Sequence, residues 1–145
     1  MMSRMNHEYD IAIVKQISVD LTNEPGTLAV FAETLARSNV AIHGISVESG
    51  HGVSRVHFVV NNTEKAIEVL TEIGENVSVK EILAVTINER KGGEISRIAR
   101  KLADEQVNID VIYLTSAEKG SHPTVYLSAS NMGVHAVKAL LSTLH

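Results

Sequence analysis

Apolar and polar residues alternate in two stretches of the chain that lie 66 residues apart. Residues 11–21 read IAIVKQISVDL and residues 77–87 read VSVKEILAVTI. The apolar side chains that match between the two stretches all occupy odd-numbered positions, which is the pattern of a strand with one buried face. The two stretches therefore indicate an internal repeat. The matched positions are Ile11, Ile13, Ile17, Val19 and Leu21 in the first stretch and Val77, Val79, Leu83, Val85 and Ile87 in the second.

The likeness continues downstream at an offset of 67 residues, which indicates that one connecting loop is a residue longer in the second copy. Gly26, Leu28, Phe31, Leu35, Ala36, Val40 and Ile42 match Gly93, Ile95, Ile98, Leu102, Ala103, Val107 and Ile109. Each copy is therefore predicted to run strand, helix, strand, strand, helix.

Helix and turn signals define the elements of the first copy. The spacing predicts a helix over 26–37 that stops near Asn39, strands over 41–48 and 54–61, and a hairpin at 50–52. A second helix is predicted from an N-cap at Thr63 to Gly74, and Asn131 is the expected cap of its counterpart. The residues expected to face inward are Leu28, Phe31, Ala32, Leu35 and Ala36 in the first helix, Ala66, Ile67, Leu70 and Ile73 in the second, and Val134, Val137, Leu140, Leu141 and Leu144 in the last.

The two copies end differently. The first closes with a strand near residues 76–80, whereas the second ends in a helix and lacks a fourth strand. The segment 10–14 matches the closing strand at the 66-residue offset, so we expect it to supply the missing one. The predicted fold is α+β, with two ferredoxin-like (βαββαβ) units whose antiparallel sheets carry helices on one face. The first unit, 15–81, is predicted to be inserted in the second, 10–14 plus 82–145.

Composition narrows the classes of function. The chain has 145 residues, a net charge of −4, no cysteine and five aromatic residues, so it lacks the positive field and the stacking surfaces of a nucleic-acid-binding protein. Without cysteine there are no disulfides or thiolate metal sites, which favours a cytoplasmic location. The opening residues do not resemble a signal peptide, and no apolar run approaches the ~20 residues of a membrane span.

The most specific short segment joins the first strand to the first helix: Asn23, Glu24, Pro25, Gly26, Thr27 and Leu28. Pro25 presets the entry to the helix, and Gly26 lets a ligand approach the backbone. The amides of the first helical turn have no acceptor within the helix, which suits a carboxylate. The other interpretation is a tight strand-to-helix turn with no ligand, because Asn, Pro and Gly are common in turns for geometric reasons.

The repeated unit resembles an ACT domain, a small ligand-sensing module of amino-acid metabolism. The resemblance spans about residues 11–144 and rests on the segments NEPGTLAVFAETL, NVAI and TEKAIEVL and on their echoes GGEISRIARKLA and QVNI. Free-standing tandem ACT proteins and the regulatory tails of aspartate kinases are the most similar. In those tails the first ACT unit is inserted into the second.

The resemblance implies an amino-acid site where two ACT units pair, formed by an Asn-x-Pro-Gly loop and by an asparagine at the start of the second strand. Asn23, Pro25 and Gly26 match the loop in the first copy, where Ala41 replaces the strand asparagine. The second copy keeps Asn108 but has lost the proline. One complete site is therefore expected, with a degenerate second one. The complete site comprises Asn23, Glu24, Pro25, Gly26, Thr27, Leu28, Asn108 and Ile109, and the degenerate one Gly92, Gly93, Glu94, Ala41 and Ile42.

Other polar clusters have simpler interpretations. His43, His51 and His57 lie close in sequence, and His43 and His57 have the same parity, but no metal site is expected. The basic group Arg90, Lys91, Arg97, Arg100 and Lys101 describes either a phosphate-binding patch or, more simply, a solvated helix face. No sequence signature of a hydrolase or a phosphate-binding loop is present.

These observations and the resemblance predict a regulatory protein without catalytic activity or cofactor, which binds a small amino acid or a related metabolite and forms a homodimer. The alternative is an obligate regulatory subunit of an amino-acid biosynthetic enzyme, comparable to the small subunit of acetolactate synthase or to an aspartate kinase regulatory chain. Neither nucleic acid nor membrane is an expected partner.

Overall fold

Strands and helices follow one another along the chain in the order that the repeat predicts. The computed structural model describes residues 8–89, 92–115 and 122–144. Within these ranges the elements are β1 (Tyr9–Thr22), α1 (Thr27–Arg37), β2 (Ile42–Gly50), β3 (Val53–Val60), α2 (Thr63–Glu72), β4 (Val77–Ile87), α3 (Glu94–Asp104), β5 (Ile109–Thr115), β6 (Thr124–Ala129) and α4 (Val134–Leu141). The predictions of an α+β chain and of antiparallel sheet are confirmed.

The chain divides into two compact units, and both β1 and β4 are shared between them. The first unit is Lys15–Lys80, and the second is Met1–Val14 together with Glu81–His145. The segments 10–14 and 15–21, which the sequence suggested as parts of different units, are consecutive parts of the one strand β1.

The first unit has the strand order β2–β3–β1–β4, with β3 antiparallel to both of its neighbours. Ile17 pairs with Phe58 and Val19 with Val56 across β1 and β3, so these apolar side chains share one face. Phe31 of α1 meets Phe58 edge-on, with ring centroids 5.1 Å apart. The other members of this core are Leu21, Leu35, Val40, Val60, Ala66 and Leu70.

The second unit repeats this arrangement with the strand order β1–β4–β6–β5. Leu83 pairs with Leu127, as Ile17 pairs with Phe58 in the first unit. The amide of Asn88 donates to the Glu8 carbonyl at 2.7 Å, and the Asn88 side chain donates to Asp10 at 2.8 Å. These bonds tie the start of β1 to the end of β4. The buried core is formed by Tyr9, Leu83, Val85, Ile87, Ile98, Leu102, Val107, Val125, Leu127, Val137 and Leu141.

The predicted apolar stripe of α1 is partly wrong. Phe31 and Leu35 are buried, but Leu28 is 43% exposed and Ala36 is also exposed, while the polar Thr34 is buried. Thr34 is satisfied there because its hydroxyl donates to the Val30 carbonyl at 2.7 Å. Ile73 and Val79, which were also expected to face inward, are exposed as well.

The helix ends confirm one expectation and correct two. Asn39 follows α1 in the left-handed region, as a stop residue should, and Gln106 does so after α3. The N-cap of α2 is Asn62 rather than Thr63, because the Asn62 side chain accepts a hydrogen bond from the Lys65 amide at 3.1 Å. Asn131 does not cap α4, whose N-cap is Gly133.

The hairpin between β2 and β3 turns at His51 and Gly52, which both have positive φ. Within the described ranges, none of the helices combines the length and the apolar character that a bilayer crossing requires.

Candidate functional site

The segment from Asn23 to Leu28 is held at both ends by backbone hydrogen bonds. The Asn23 amide donates to the Gly52 carbonyl of the hairpin turn at 2.9 Å, and the Thr27 amide donates to the Glu24 carbonyl at 3.2 Å. Gly26 has φ +87°, a left-handed conformation that favours glycine. The segment is therefore a defined turn that sets the direction in which α1 begins.

The start of α1 carries no capping side chain. Gly26 is the N-cap residue, and its carbonyl accepts from the Val30 amide at 3.0 Å. A helix end of this kind presents backbone amides with partial positive charge. The side chains of Leu28 and Val30 beside it are 43% and 58% exposed.

An open cavity of about 370 Å³ lies beside this turn within the first unit. Its volume falls at the lower end of the ~300–1,000 Å³ range of small-molecule sites. The wall is mostly apolar, and Glu75, just before β4, supplies the one charged side chain among the lining residues. The lining residues are Leu21, Pro25, Gly26, Thr27, Val30, Phe31, Ile73 and Glu75.

Two asparagines hold the starts of β2 and β5, and the sequence does not predict this role for either of them. Asn61 Oδ1 accepts from the Ala41 amide at 2.9 Å, and Asn131 Oδ1 accepts from the Asn108 amide at 2.9 Å. Asn131 also donates to the Gln106 carbonyl at 2.8 Å. Asn108 itself is exposed, whereas Ile42 and Ile109 are partly buried.

In the second unit, the Arg97 side chain lies against the turn that corresponds to Asn23–Leu28. Gly92 and Gly93 have φ values of +86° and +76°, and the Arg97 amide donates to the Gly93 carbonyl at 3.0 Å. The Arg97 guanidinium donates to the Gly92 carbonyl at 3.0 Å and to Tyr9 Oη at 3.1 Å, and it pairs with Glu94 at 3.4 Å. The bond to Tyr9 raises the pKa of Arg97 further.

The interpretation of the basic cluster as a solvated helix face is therefore wrong for Arg97, whose side chain folds back onto the turn. It holds for Arg100, which is exposed and lies 3.7 Å from Asp104. Arg90 and Lys91 lie outside the described residues. The sequence carries no direct signal of the Arg97 contact, because the 66-residue offset equates Tyr9 only with the cavity residue Glu75.

The histidines do not converge. His57 pairs across strands with Ser46, and its Nδ1 is 2.7 Å from Ser18 Oγ, while His43 lies at the bulge between Ile42 and Gly44. Burial and, to a lesser extent, the nearby Arg55 lower the pKa of His57. Among the described residues no group of three His, Asp or Glu side chains is arranged to hold a metal ion.

Solved structures share this fold at low sequence identity. A protein from Bacteroides thetaiotaomicron is 21% identical with a TM-score of 0.77, over 91% of this chain and 88% of that one. The ligand-free regulatory subunit of aspartate kinase from Thermus thermophilus is 17% identical with a TM-score of 0.64, over 92% and 95% of the two chains. Its counterpart from Thermus flavus is 19% identical with a TM-score of 0.60, over 91% and 94%.

Sequence comparison gives the family directly. No curated protein sequence matches the chain. The family model described as an ACT domain pair, however, matches residues 12–138, which is most of the sequence. Together with the two similar units and the turn before each first helix, this match shows that the chain belongs to the family of ACT domain pairs.

Proposed function

We propose that the protein is a non-catalytic regulatory protein that senses a small amino acid. The observation that carries this proposal is the cavity of about 370 Å³ next to the Asn23–Leu28 turn, in a chain of the ACT pair family. Proteins of known structure with this fold include regulatory subunits of aspartate kinase. The proposal makes amino-acid binding the input and a change in a partner protein the output.

The chemistry of the turn suits an amino acid. The first-turn amides of α1 would donate hydrogen bonds to the ligand's carboxylate, and the apolar wall of the cavity would bury its side chain. We propose Asn108 and Ile109 as further ligand-binding residues. On this proposal Gly92, Gly93, Glu94, Ala41 and Ile42 are the equivalent positions that have lost binding, so the stoichiometry is one amino acid per chain.

Thermal unfolding in the presence of each of the twenty amino acids tests this function. An amino acid at a hundred times its dissociation constant stabilises the folded state by about 2.7 kcal/mol, which gives a readable shift in Tm. Asn23→Ala and Asn108→Ala should each weaken the response. Ser78→Ala, an exposed position of β4 that does not line the cavity, is the matched control. The absence of a shift with every amino acid would overturn the proposal.

We also propose that both units are ferredoxin-like and that the first is inserted in the second. The strand orders β2–β3–β1–β4 and β5–β6–β4–β1 support this, since each places the first and third strands of a unit in the centre. An experimental structure in which residues 10–14 pair within the first unit would contradict the insertion.

A homodimer is the proposed assembly. The outer strands β2 and β5 carry exposed apolar residues at equivalent positions, with Ile45 and Val47 on β2 and Ile112 and Leu114 on β5. Apolar side chains on an edge strand favour pairing with a second chain. Sedimentation should show a dimer, and Val47→Lys should shift it toward the monomer if β2 forms the contact.

The second candidate function is that of a regulatory subunit of an amino-acid biosynthetic enzyme in the cytoplasm. This chain covers more than 90% of the length of two aspartate kinase regulatory subunits, which favours this second function. Co-purification with a biosynthetic enzyme whose rate changes on adding the chain and an amino acid would support this role. An active enzyme that the chain neither binds nor modulates would count against that enzyme as the partner.

A further inference from the structure

Most residues that line the first-unit cavity have a counterpart in the second unit at the repeat offsets. At an offset of 67, Gly26 corresponds to Gly93, Thr27 to Glu94 and Val30 to Arg97. At the offset of 66 that relates the strands, Leu21 corresponds to Ile87 and Glu75 to Tyr9. The two units can therefore be compared position by position around the same space.

In the second unit, that space is spanned by the side chain of Arg97. Its guanidinium joins the Gly92 carbonyl and the Glu94 carboxylate on the side of the turn to Tyr9 Oη on the side of β1. These are the two sides between which the first-unit cavity lies, since Thr27 and Glu75 both line it. Val30 is too short to reach across, which leaves the first unit open.

We propose, on the basis of the proposed function, that the first-unit cavity binds an amino acid with an aliphatic side chain and that Arg97 fills the corresponding place in the second unit. The choice between valine at position 30 and arginine at position 97 then decides which unit binds. The chain binds one ligand because one of its two equivalent places is already taken by its own side chain.

The class of ligand follows from the wall of the cavity. Leu21, Val30, Phe31 and Ile73 offer apolar surface, which binds an aliphatic side chain by removing it from water. Glu75 offers a carboxylate, which suits the α-ammonium group of an amino acid. An acidic side chain would meet Glu75 with like charge, and a cationic one would bury its charge against the apolar wall.

The contacts of Arg97 explain why a ligand does not displace it. The guanidinium is anchored by three acceptors, and two of the contacts are to the same short turn. A competing ligand would first have to break these bonds and displace a side chain that is covalently part of the helix, so little net free energy of binding would remain.

Titration calorimetry with L-leucine, L-isoleucine and L-valine tests the open cavity. We expect one site per chain, at least tenfold weaker in Val30→Arg, which places an arginine where the second unit has one. Glu75→Gln should weaken binding about tenfold through loss of the charge-assisted contact. Val79→Arg puts the same side chain on an exposed position of β4 and should leave binding unchanged.

The reverse substitution, Arg97→Val, tests whether the Arg97 side chain blocks a second binding site. Arg97→Val should raise the stoichiometry from one to two, and the double variant Tyr9→Glu/Arg97→Val should strengthen the second site by restoring a carboxylate at the position of Glu75. Arg100 lies three residues further along α3 and has an exposed side chain, so Arg100→Val should keep the stoichiometry at one. Circular dichroism checks that each variant is folded.

The possible failures are distinguishable. If none of the twenty amino acids binds the wild type, the proposed function fails. If an acidic or basic amino acid binds and the aliphatic ones do not, the assigned ligand class is overturned while the function stands. If an aliphatic amino acid binds but Val30→Arg has no effect, or if folded Arg97→Val and Tyr9→Glu/Arg97→Val both stay at one site, the assignment of positions 30 and 97 is overturned.

Discussion

The turns before α1 and α3 begin their helices in the same way, but the space beside them differs in content. In both, a left-handed glycine precedes the helix, and its carbonyl accepts from the amide four residues later at 3.0 Å. The space beside the first turn is open, whereas Arg97 spans the corresponding space in the second. The comparison teaches that the start of the helix depends on the left-handed glycine, while the space beside it depends on one side chain of the following helix.

The cores of the two units differ in a similar way. The strand register equates Phe58 with Leu127, since Phe58 pairs with Ile17 and Leu127 with Leu83. Phe31 likewise corresponds to Ile98 at the 67-residue offset. An edge-on aromatic pair in the first unit is thus replaced by aliphatic packing in the second, and such pairs contribute about 0.5–1.5 kcal/mol beyond burial.

The largest effect is expected from the core of the first unit. Phe58→Ala removes a fully buried ring and its partner contact, so the free energy of unfolding should fall by about 3–5 kcal/mol. Leu127→Ala in the second unit should cost less, about 2–4 kcal/mol, because no aromatic pair is lost. Urea unfolding at equilibrium measures both. Equal costs would show that the aromatic pair adds nothing to the first core.

Replacing the glycine before α1 or the glycine before α3 should lower the free energy of unfolding by about the same amount. Gly26→Ala and Gly93→Ala each force an L-residue into the left-handed region, at a cost of about 1–2 kcal/mol. Thermal and urea unfolding would measure both, with Gly50→Ala as the control because Gly50 lacks a positive φ and has open space around its Cβ position. A harmless Gly26→Ala would show that the turn is not held in this conformation.

Replacing the asparagines that bond to the starts of β2 and β5 should lower the free energy of unfolding by different amounts. Asn131 makes two hydrogen bonds and Asn61 makes one side-chain bond to Ala41. Asn131→Ala should therefore cost about 1–1.5 kcal/mol and Asn61→Ala about 0.5–1 kcal/mol. Unfolding of the two variants under one set of conditions checks the order, and a larger loss at Asn61 would contradict it.

The smallest effect concerns pH and the sheet residue His57. Burial holds its pKa below the ordinary value of 6.5, so the unfolded chain binds more protons in the interval just below pH 6.5. Stability should rise with pH through that interval and be lost as the pH falls. His57→Gln should flatten this part of the curve, and His43→Gln, at an exposed position, should preserve it. The corresponding residue of the second unit, Tyr126, has its pKa raised by burial and does not titrate in this range.

Periodic features of the chain could be predicted from the sequence, and features that depend on distant side chains could not. The alternation in residues 15–21 correctly indicated the buried face of β1, and Asn39 correctly marked the end of α1. The same periodicity wrongly buried Leu28, because a helical stripe does not show how far the neighbouring elements extend over it.

The site illustrates the same limit. Glycine and proline identified the turn at 23–28, since their backbone preferences are local. The contact between Arg97 and Tyr9 joins residues 88 positions apart and depends on which way a long, flexible side chain turns. Such a choice is decided by the acceptors available after folding, and the spacing of charges along a helix carries no information about them.

The division of β1 at Val14 and Lys15 has a consequence for the order of folding. The first unit, Lys15–Lys80, is one continuous segment, but the second needs residues 9–14 to meet the end of β4. Closing that contact means closing a loop that contains the whole first unit, and loop closure costs more entropy as the loop lengthens. A first unit that has already folded brings the two ends of this loop closer together and so lowers the entropy cost of closing it. During synthesis, which delivers the N-terminal part first, the strand segment 9–14 must therefore wait, unpaired, for its neighbour in β4 to arrive.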